Sequence, residues 1–145
     1  MLFYITVTVL LVSAQAKFYT DCGSKLATVQ SVGVSGWPEN ARECVLKRNS
    51  NVTISIDFSP TTDVSAITTE VHGVIMSLPV PFPCRSPDAC KDNGLTCPIK
   101  AGVVANYKTT LPVLKSYPKV SVDVKWELKK DEEDLVCILI PARIH

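Results

Sequence analysis

Two histidines, six cysteines and one acidic run are the side chains of this sequence whose types suit chemistry. A nucleophile needs a base within hydrogen-bonding reach, and histidine is the usual one. His72 lies inside the strand-like stretch TTEVHGVIM, and His145 is the last residue of the chain. Glu70 and His72 share one face of that stretch, which reads as a surface pair rather than a catalytic dyad. There is no G-x-S-x-G elbow, no H-E-x-x-H and no glycine-rich phosphate loop. Zinc fits poorly, because the closest cysteines have five and six residues between them and only two histidines accompany them. The run Asp131-Glu132-Glu133-Asp134 lacks the regular ligand spacing and the glycine of a calcium loop, so it reads as a solvated hairpin turn. Neither catalysis, a metal nor a cofactor is expected.

The cysteines (Cys22, Cys44, Cys84, Cys90, Cys97, Cys137) point to structure instead. All lie beyond an apolar run, Leu2–Val12, followed by Ala14-Gln15-Ala16, whose small residues suit a signal peptidase. Residues 1–16 therefore read as a signal peptide, too short to span a bilayer as a helix, and residues 17–145 as a single domain. A buried first strand is the plainer alternative for the leader. An even cysteine count behind a leader implies disulfides in an oxidising compartment, although six cysteines allow fifteen pairings. Asn51-Val52-Thr53 is a glycosylation sequon, in keeping with secretion. Fifteen Lys and Arg against fourteen Asp and Glu leave no field for holding nucleic acid, and no basic patch carries interleaved aromatics.

The elements that must hold these residues follow a period of two. Val52, Ile54, Ile56 and Phe58 alternate with Asn51, Thr53, Ser55 and Asp57. Val120, Val122, Val124, Trp126 and Leu128 alternate with Ser121, Asp123, Lys125 and Glu127. Each is a strand with one buried face and one wet face, and Asn51 falls on the wet one. Weaker patterns predict strands over 26–34, 66–78, 103–113 and 135–144. Six or seven short strands with frequent Pro and Gly describe an all-β sandwich.

One segment breaks this pattern. In LPVPFPC (78–84), three prolines alternate with Val80 and Phe82, so the run fits only a sheet edge or a loop. A similar segment, TLPVLKSYPKV (110–120), again sets prolines around apolar residues. Phe82, Val113 and Tyr117 on two stiff segments would form the rim of a cleft, pre-formed at low entropic cost. Plain loop packing at the end of a sandwich explains them equally well.

DCGS (21–24), VHGVIM (71–76), VPFP (80–83), the C-x6-C with Pro98-Ile99, LPV with YP (111–118) and VKWEL (124–128) occur in this order. Together they resemble the ML lipid-recognition family, in its Niemann-Pick type C cholesterol-binding branch, over essentially all of residues 17–145. The resemblance implies an immunoglobulin-like sandwich of about seven strands with a lipid cavity between its sheets. It implies a monomeric carrier, secreted or in the lysosomal lumen, that binds a sterol and passes it on through transient contact with a membrane or membrane protein. Carriage of fatty acids or hydrophobic semiochemicals is the alternative within the family. Lipid A recognition is another, for which the rim offers Arg85, Lys108, Lys115 and Lys119. Carried over by position, Phe82, Val113 and Tyr117 are expected sterol contacts. Pro118 and Trp126 are expected to line the same pocket, with Leu46, Ile75 and Val80 as further candidates. The resemblance also implies Cys22–Cys137 and Cys90–Cys97 bridges. In the family a second cysteine usually precedes Cys44, but this chain has Trp37-Pro38 near that place, and Cys84 is extra. A Cys44–Cys84 bridge is therefore expected.

Overall fold

The computed structural model describes residues 3–6, 18–37, 43–82 and 87–145. Among these lie nine strands: β1 (Thr20–Asp21), β2 (Ala27–Val34), β3 (Cys44–Leu46), β4 (Ser50–Pro60), β5 (Thr68–Ile75), β6 (Leu78–Phe82), β7 (Ala105–Val113), β8 (Ser121–Lys130) and β9 (Glu133–Ile144). They form two sheets. The larger runs β1-β9-β8-β5-β6, with β3 also on β9, and the smaller runs β2-β4-β7. All pairings are antiparallel except β3 with β9. The expected signal peptide falls almost wholly outside the described residues.

Every strand expected from alternation is present, and the count exceeds seven for two reasons. β1 and β3 have two and three residues, too few to display a period. The stretch expected as one strand over 66–78 instead folds back on itself. Met76 and Ser77 take left-handed φ values of 50° and 67°, turning β5 into β6 through a two-residue hairpin. Two positive φ values in succession belong to the hairpin turn whose twist matches the strands, but Asn-Gly is its usual sequence.

The core follows the alternation. Ile54, Ile56 and Phe58 project from β4 between the sheets, opposed by Trp126 and Leu128 of β8 and by Val136, Ile138 and Ile140 of β9. Fully burying a side chain such as Phe58 stabilises by about 1.5–3 kcal/mol, and β4 carries several in one line. Disulfides join Cys22 to Cys137 and Cys90 to Cys97. The first ties β1 to β9 over a separation of 115 residues, which gives it a nominal entropic value of about 4–5 kcal/mol.

Cys44 is a free thiol, which corrects the expected bridge to Cys84. β3 and β6 lie at opposite edges of the large sheet, four strand spacings or about 19 Å apart, whereas bridged cysteines keep their Cα atoms within about 7 Å. Cys84 itself lies outside the described residues.

The outer face of the large sheet differs from expectation at Glu127. Alternation puts this residue in water, yet its side chain is only 7 % exposed. Side chains of β5 and β8 cover it: His72 Nδ1 and Lys125 Nζ stand 4.0 and 3.7 Å from Oε1, and Lys129 Nζ 3.7 Å from Oε2. Glu70 pairs with Lys129 at 3.1 Å rather than with His72. Asp134 completes the group through a carboxyl–carboxylate hydrogen bond to Glu127. Burial, that bond and the Glu127 charge push the Asp134 carboxyl up to about 6. Burial acts against the Glu127 charge, but the Asp134 hydrogen bond and the neighbouring cations outweigh it and hold its carboxyl below the usual range.

Because folding favours protonated Asp134, its contribution is complete below pH 3.8 and is lost as pH rises through about 6. Glu127 acts in the opposite sense at lower pH. Asp134→Asn keeps a donor and removes the titration. Its melting temperature relative to the parent protein should rise between pH 4 and pH 7; a difference that stays constant over that range would refute the shared proton.

Candidate functional site

The site begins with the unequal widths of the sheets. In the large sheet, β5 directs Val71, Gly73 and Ile75 inward, and β6 pairs Phe82, Val80 and Leu78 with them in turn. Direct partners in an antiparallel pair share a face, so Leu78, Val80 and Phe82 also point to the inner side. Nevertheless Leu78 is 68 % exposed and Val80 46 % exposed. The inner face of β6 is therefore uncovered.

The sequence accounts for this edge. Adjacent residues of a strand aim their backbone groups in opposite directions, so β6 can bond β5 through only one phase. Pro79 and Pro81 have no N–H to give, which leaves Leu78, Val80 and Phe82 for that bonding and turns the prolines away from β5. The same alternation sends the apolar side chains inward. The stiff apolar run is thus an edge strand, one of the two places open to it.

Phe82 is half-buried and makes the doorway. Its ring meets Tyr117 edge to face, with centroids 4.9 Å apart and planes at 64°, a geometry worth about 0.5–1.5 kcal/mol beyond area burial. Tyr117 comes from the loop that leaves β7, so the pair joins the edge of the large sheet to the end of the small one. Burial raises the Tyr117 hydroxyl above its usual range, so it stays neutral. Val113, at the end of β7, is buried behind this pair, and Pro118 is exposed beside it. Gly73 leaves room chiefly for Val122: a Cβ there would stand 3.1 Å from Val122 Cγ2, tighter than ordinary contact, and 3.4 Å from Phe82 Cδ2.

From Val122 the inner face leads on to Val124 along the strand and to Ala142, the cross-strand partner of Val122. Both line an apolar hollow between the sheets, together with Val34, Cys44, Leu46, Val52, Ile54, Trp126 and Ile140. Its volume is ≈ 40 Å³, well below the ~300–1,000 Å³ of ligand pockets in general. Trp126 packs edge to face on Tyr107 at 6.3 Å, and its buried Nε1 has no hydrogen-bond partner among the described residues. Burial, and secondarily the charge of Glu43, push the Cys44 thiol up to about 11, so it behaves as a small apolar group and a poor nucleophile.

The expected residues thus fall into two connected groups. Phe82 and Tyr117 meet as a ring pair, Val113 and Pro118 lie on the end of β7 and the loop that carry Tyr117, Val80 and Ile75 lie further along the β5–β6 hairpin, and Leu46 and Trp126 line the hollow. The other lining residues sit in the inward phase of their strands, but alternation does not reveal which strands face each other. Cys44, expected in a bridge, is instead a free thiol that lines the hollow. Of the expected rim cations, Lys115 and Lys119 are exposed beside Tyr117, and Arg85 lies outside the described residues. Lys108 stands across from Ser55 on the outer face of the small sheet, away from the doorway. Asn51 is exposed on the same outer face. Glu70, His72 and Glu127 bring three ligand-type atoms together, but the ammonium groups of Lys129 and Lys125 already occupy the place of a cation.

Gly73→Ala tests the doorway packing. The added methyl should press on Val122 Cγ2, 3.1 Å away, while Phe82 stays at ordinary contact distance; it should cost about 1–3 kcal/mol, visible as a lower melting temperature and shifted Val122 methyl resonances. An unchanged melt and unchanged Val122 resonances would remove the role given to Gly73.

The ML domain model matches residues 16–144. The NPC intracellular cholesterol transporter 2 homolog a of Drosophila melanogaster is 47% identical over 137 residues, covering 94% of this chain and 93% of that one. The NPC intracellular cholesterol transporter 2 of Bos taurus is 35% identical over 133 residues, 91% of this chain and 87% of its own. The crystal structure of a Niemann-Pick type C2 protein from Japanese carpenter ant superposes with a TM-score of 0.83 at 33% identity, covering 88% of this chain and 98% of that one. The chain belongs to the ML domain family, whose members are non-enzymatic lipid-binding proteins.

Proposed function

We propose that this protein is a lipid carrier of the secretory or lysosomal pathway that takes a sterol between its sheets and releases it to a membrane or a membrane-bound partner. One observation carries the reading: an aromatic doorway, Phe82 with Tyr117, opens along an uncovered apolar strand towards a hollow lined by apolar side chains. The relatives named as cholesterol transporters support sterol as the cargo. Two disulfides and the exposed Asn51 of the sequon suit an oxidising compartment.

The energetics are adequate. Burying ~400 Å² of sterol gains about 10 kcal/mol before ordering costs, enough for micromolar binding with few hydrogen bonds. A hollow of ≈ 40 Å³ is far too small as it stands, so entry requires the lining to move. Rotation of Phe82 and Trp126 and a slight parting of the sheets would extend it along the Val122 path. Transfer needs no covalent step, since the lipid passes between two apolar surroundings.

A fatty acid would use the same doorway and remains the second cargo to test. Lipid A recognition is less well supported, because Lys108 is turned away and Lys115 and Lys119 form a small cationic set for phosphates.

Displacement of dehydroergosterol by cholesterol and by oleic acid separates the two cargoes; if neither lipid competes, the carrier reading falls. Phe82→Ala should weaken sterol binding about tenfold or more, the equivalent of ~1.4 kcal/mol, with a smaller effect on melting. Cys44 supplies an internal reporter: bound sterol should slow its modification by methyl methanethiosulfonate, and equal rates with and without sterol would place the ligand elsewhere.

A further inference from the structure

Tyr117 owes its position to a loop with few anchors of its own. At one end the Asn49 N–H donates to Val113 O at 2.7 Å, and at the other the Ile144 N–H donates to Val120 O at 2.9 Å. Between them, the Tyr117 N–H reaches only Leu114 O, within the loop itself. Among the described residues, a side chain supplies the hydrogen bonds from outside the loop to its middle: Arg48 Nη1 donates to Lys115 O at 3.0 Å and to Tyr117 O at 3.4 Å. Arg48 is itself fixed from below, because its N–H donates to His145 O at 3.1 Å, beyond the end of β9.

Nothing else explains this arginine. Among the described residues the ion pairs involve His72, Lys125 and Lys129 with Glu70 and Glu127, and none involves Arg48. Its Nε is buried with no hydrogen-bond partner in the same set. A guanidinium half-withdrawn from water without a carboxylate has the two loop carbonyls as its compensation. Such charge-assisted bonds are roughly twice as strong as neutral ones. Their position matters, since one of the two acceptors is the carbonyl of the residue whose ring closes on Phe82.

We propose that Arg48 is a positioning residue for the doorway: it latches the loop between β7 and β8 so that Tyr117 meets Phe82, and in doing so sets the rate of lipid exchange. The inference rests on the carrier reading for its effect on cargo but not for its effect on the rings. Arg48 does not touch the hollow's lining residues through any of these bonds. It acts through Tyr117. Without the latch the loop keeps its two ends, so the sandwich persists while the aromatic pair parts.

The test is Arg48→Met, which keeps the aliphatic stem and removes the donors, beside Arg48→Lys, which restores one cationic donor group. In the ligand-free protein, Arg48→Met should lose the nuclear Overhauser contacts between the Phe82 and Tyr117 rings and speed amide exchange over residues 115–119. Dehydroergosterol should then leave about tenfold faster, the effect of one charge-assisted bond, and Arg48→Lys should recover part of both changes. Rings still in contact and an unchanged off-rate in Arg48→Met overturn the latch even if the parent protein binds sterol normally. Loss of ring contact in Arg48→Met, when the parent protein takes no sterol, keeps the latch and rejects the carrier reading. If Arg48→Met does not fold, Arg48→Lys carries the test alone, with parental ring contacts and off-rate in the presence of a lower melting temperature counting against the proposal.

Discussion

Each strand adds about 4.8 Å of width to a sheet, so β2, β4 and β7 cannot cover the whole inner face offered by β9, β8, β5 and β6. The excess has to fall at an edge, and it falls at β6. Everything that makes a binding site plausible depends on this mismatch. It exposes Leu78 and Val80, it leaves the Phe82 ring needing a partner, and it brings Tyr117 from the far sheet to provide one. A sandwich of two equal sheets would bury the same side chains and have no way in.

The hollow is the interior counterpart of that edge. Its walls come from both sheets and are apolar apart from the Trp126 indole N–H, which is buried with no hydrogen-bond partner among the described residues. A polar lining would hold water strongly, and its desolvation would oppose an apolar guest. An apolar lining instead closes on itself, which matches the small volume. Cys44 suits this setting as a thiol kept neutral, since an ionised sulfur would bring in water.

Much of the architecture was legible because one face of each main strand is wet. β4 and β8 announce themselves through alternation, and the doorway residues through prolines that forbid an inner strand. The misses share a physical cause: side-chain period reports which face a residue takes, not what lies opposite. Glu127 sits in the wet phase but is roofed by His72, Lys125, Lys129 and Asp134 from neighbouring positions. The β5–β6 hairpin was hidden because Met76 and Ser77 adopt a turn usually written with Asn and Gly. The expected bridge from Cys44 to Cys84 rests on a departure from the family pattern that no spacing in the sequence can check, and the Cys44 thiol is free. Leu46 and Trp126 were reached through resemblance, since no spacing marks them as facing a hollow rather than a packed core.

The two prolines of β6 have a consequence for the protein at high concentration. An uncovered apolar edge strand is the usual template on which a second chain adds its own strand, the first step towards fibres. That addition needs donors along the outer margin, and Pro79 and Pro81 occupy that phase without offering any. The chain can therefore keep greasy surface in contact with water, as a carrier must, while denying neighbouring copies the backbone partners they would need to stack.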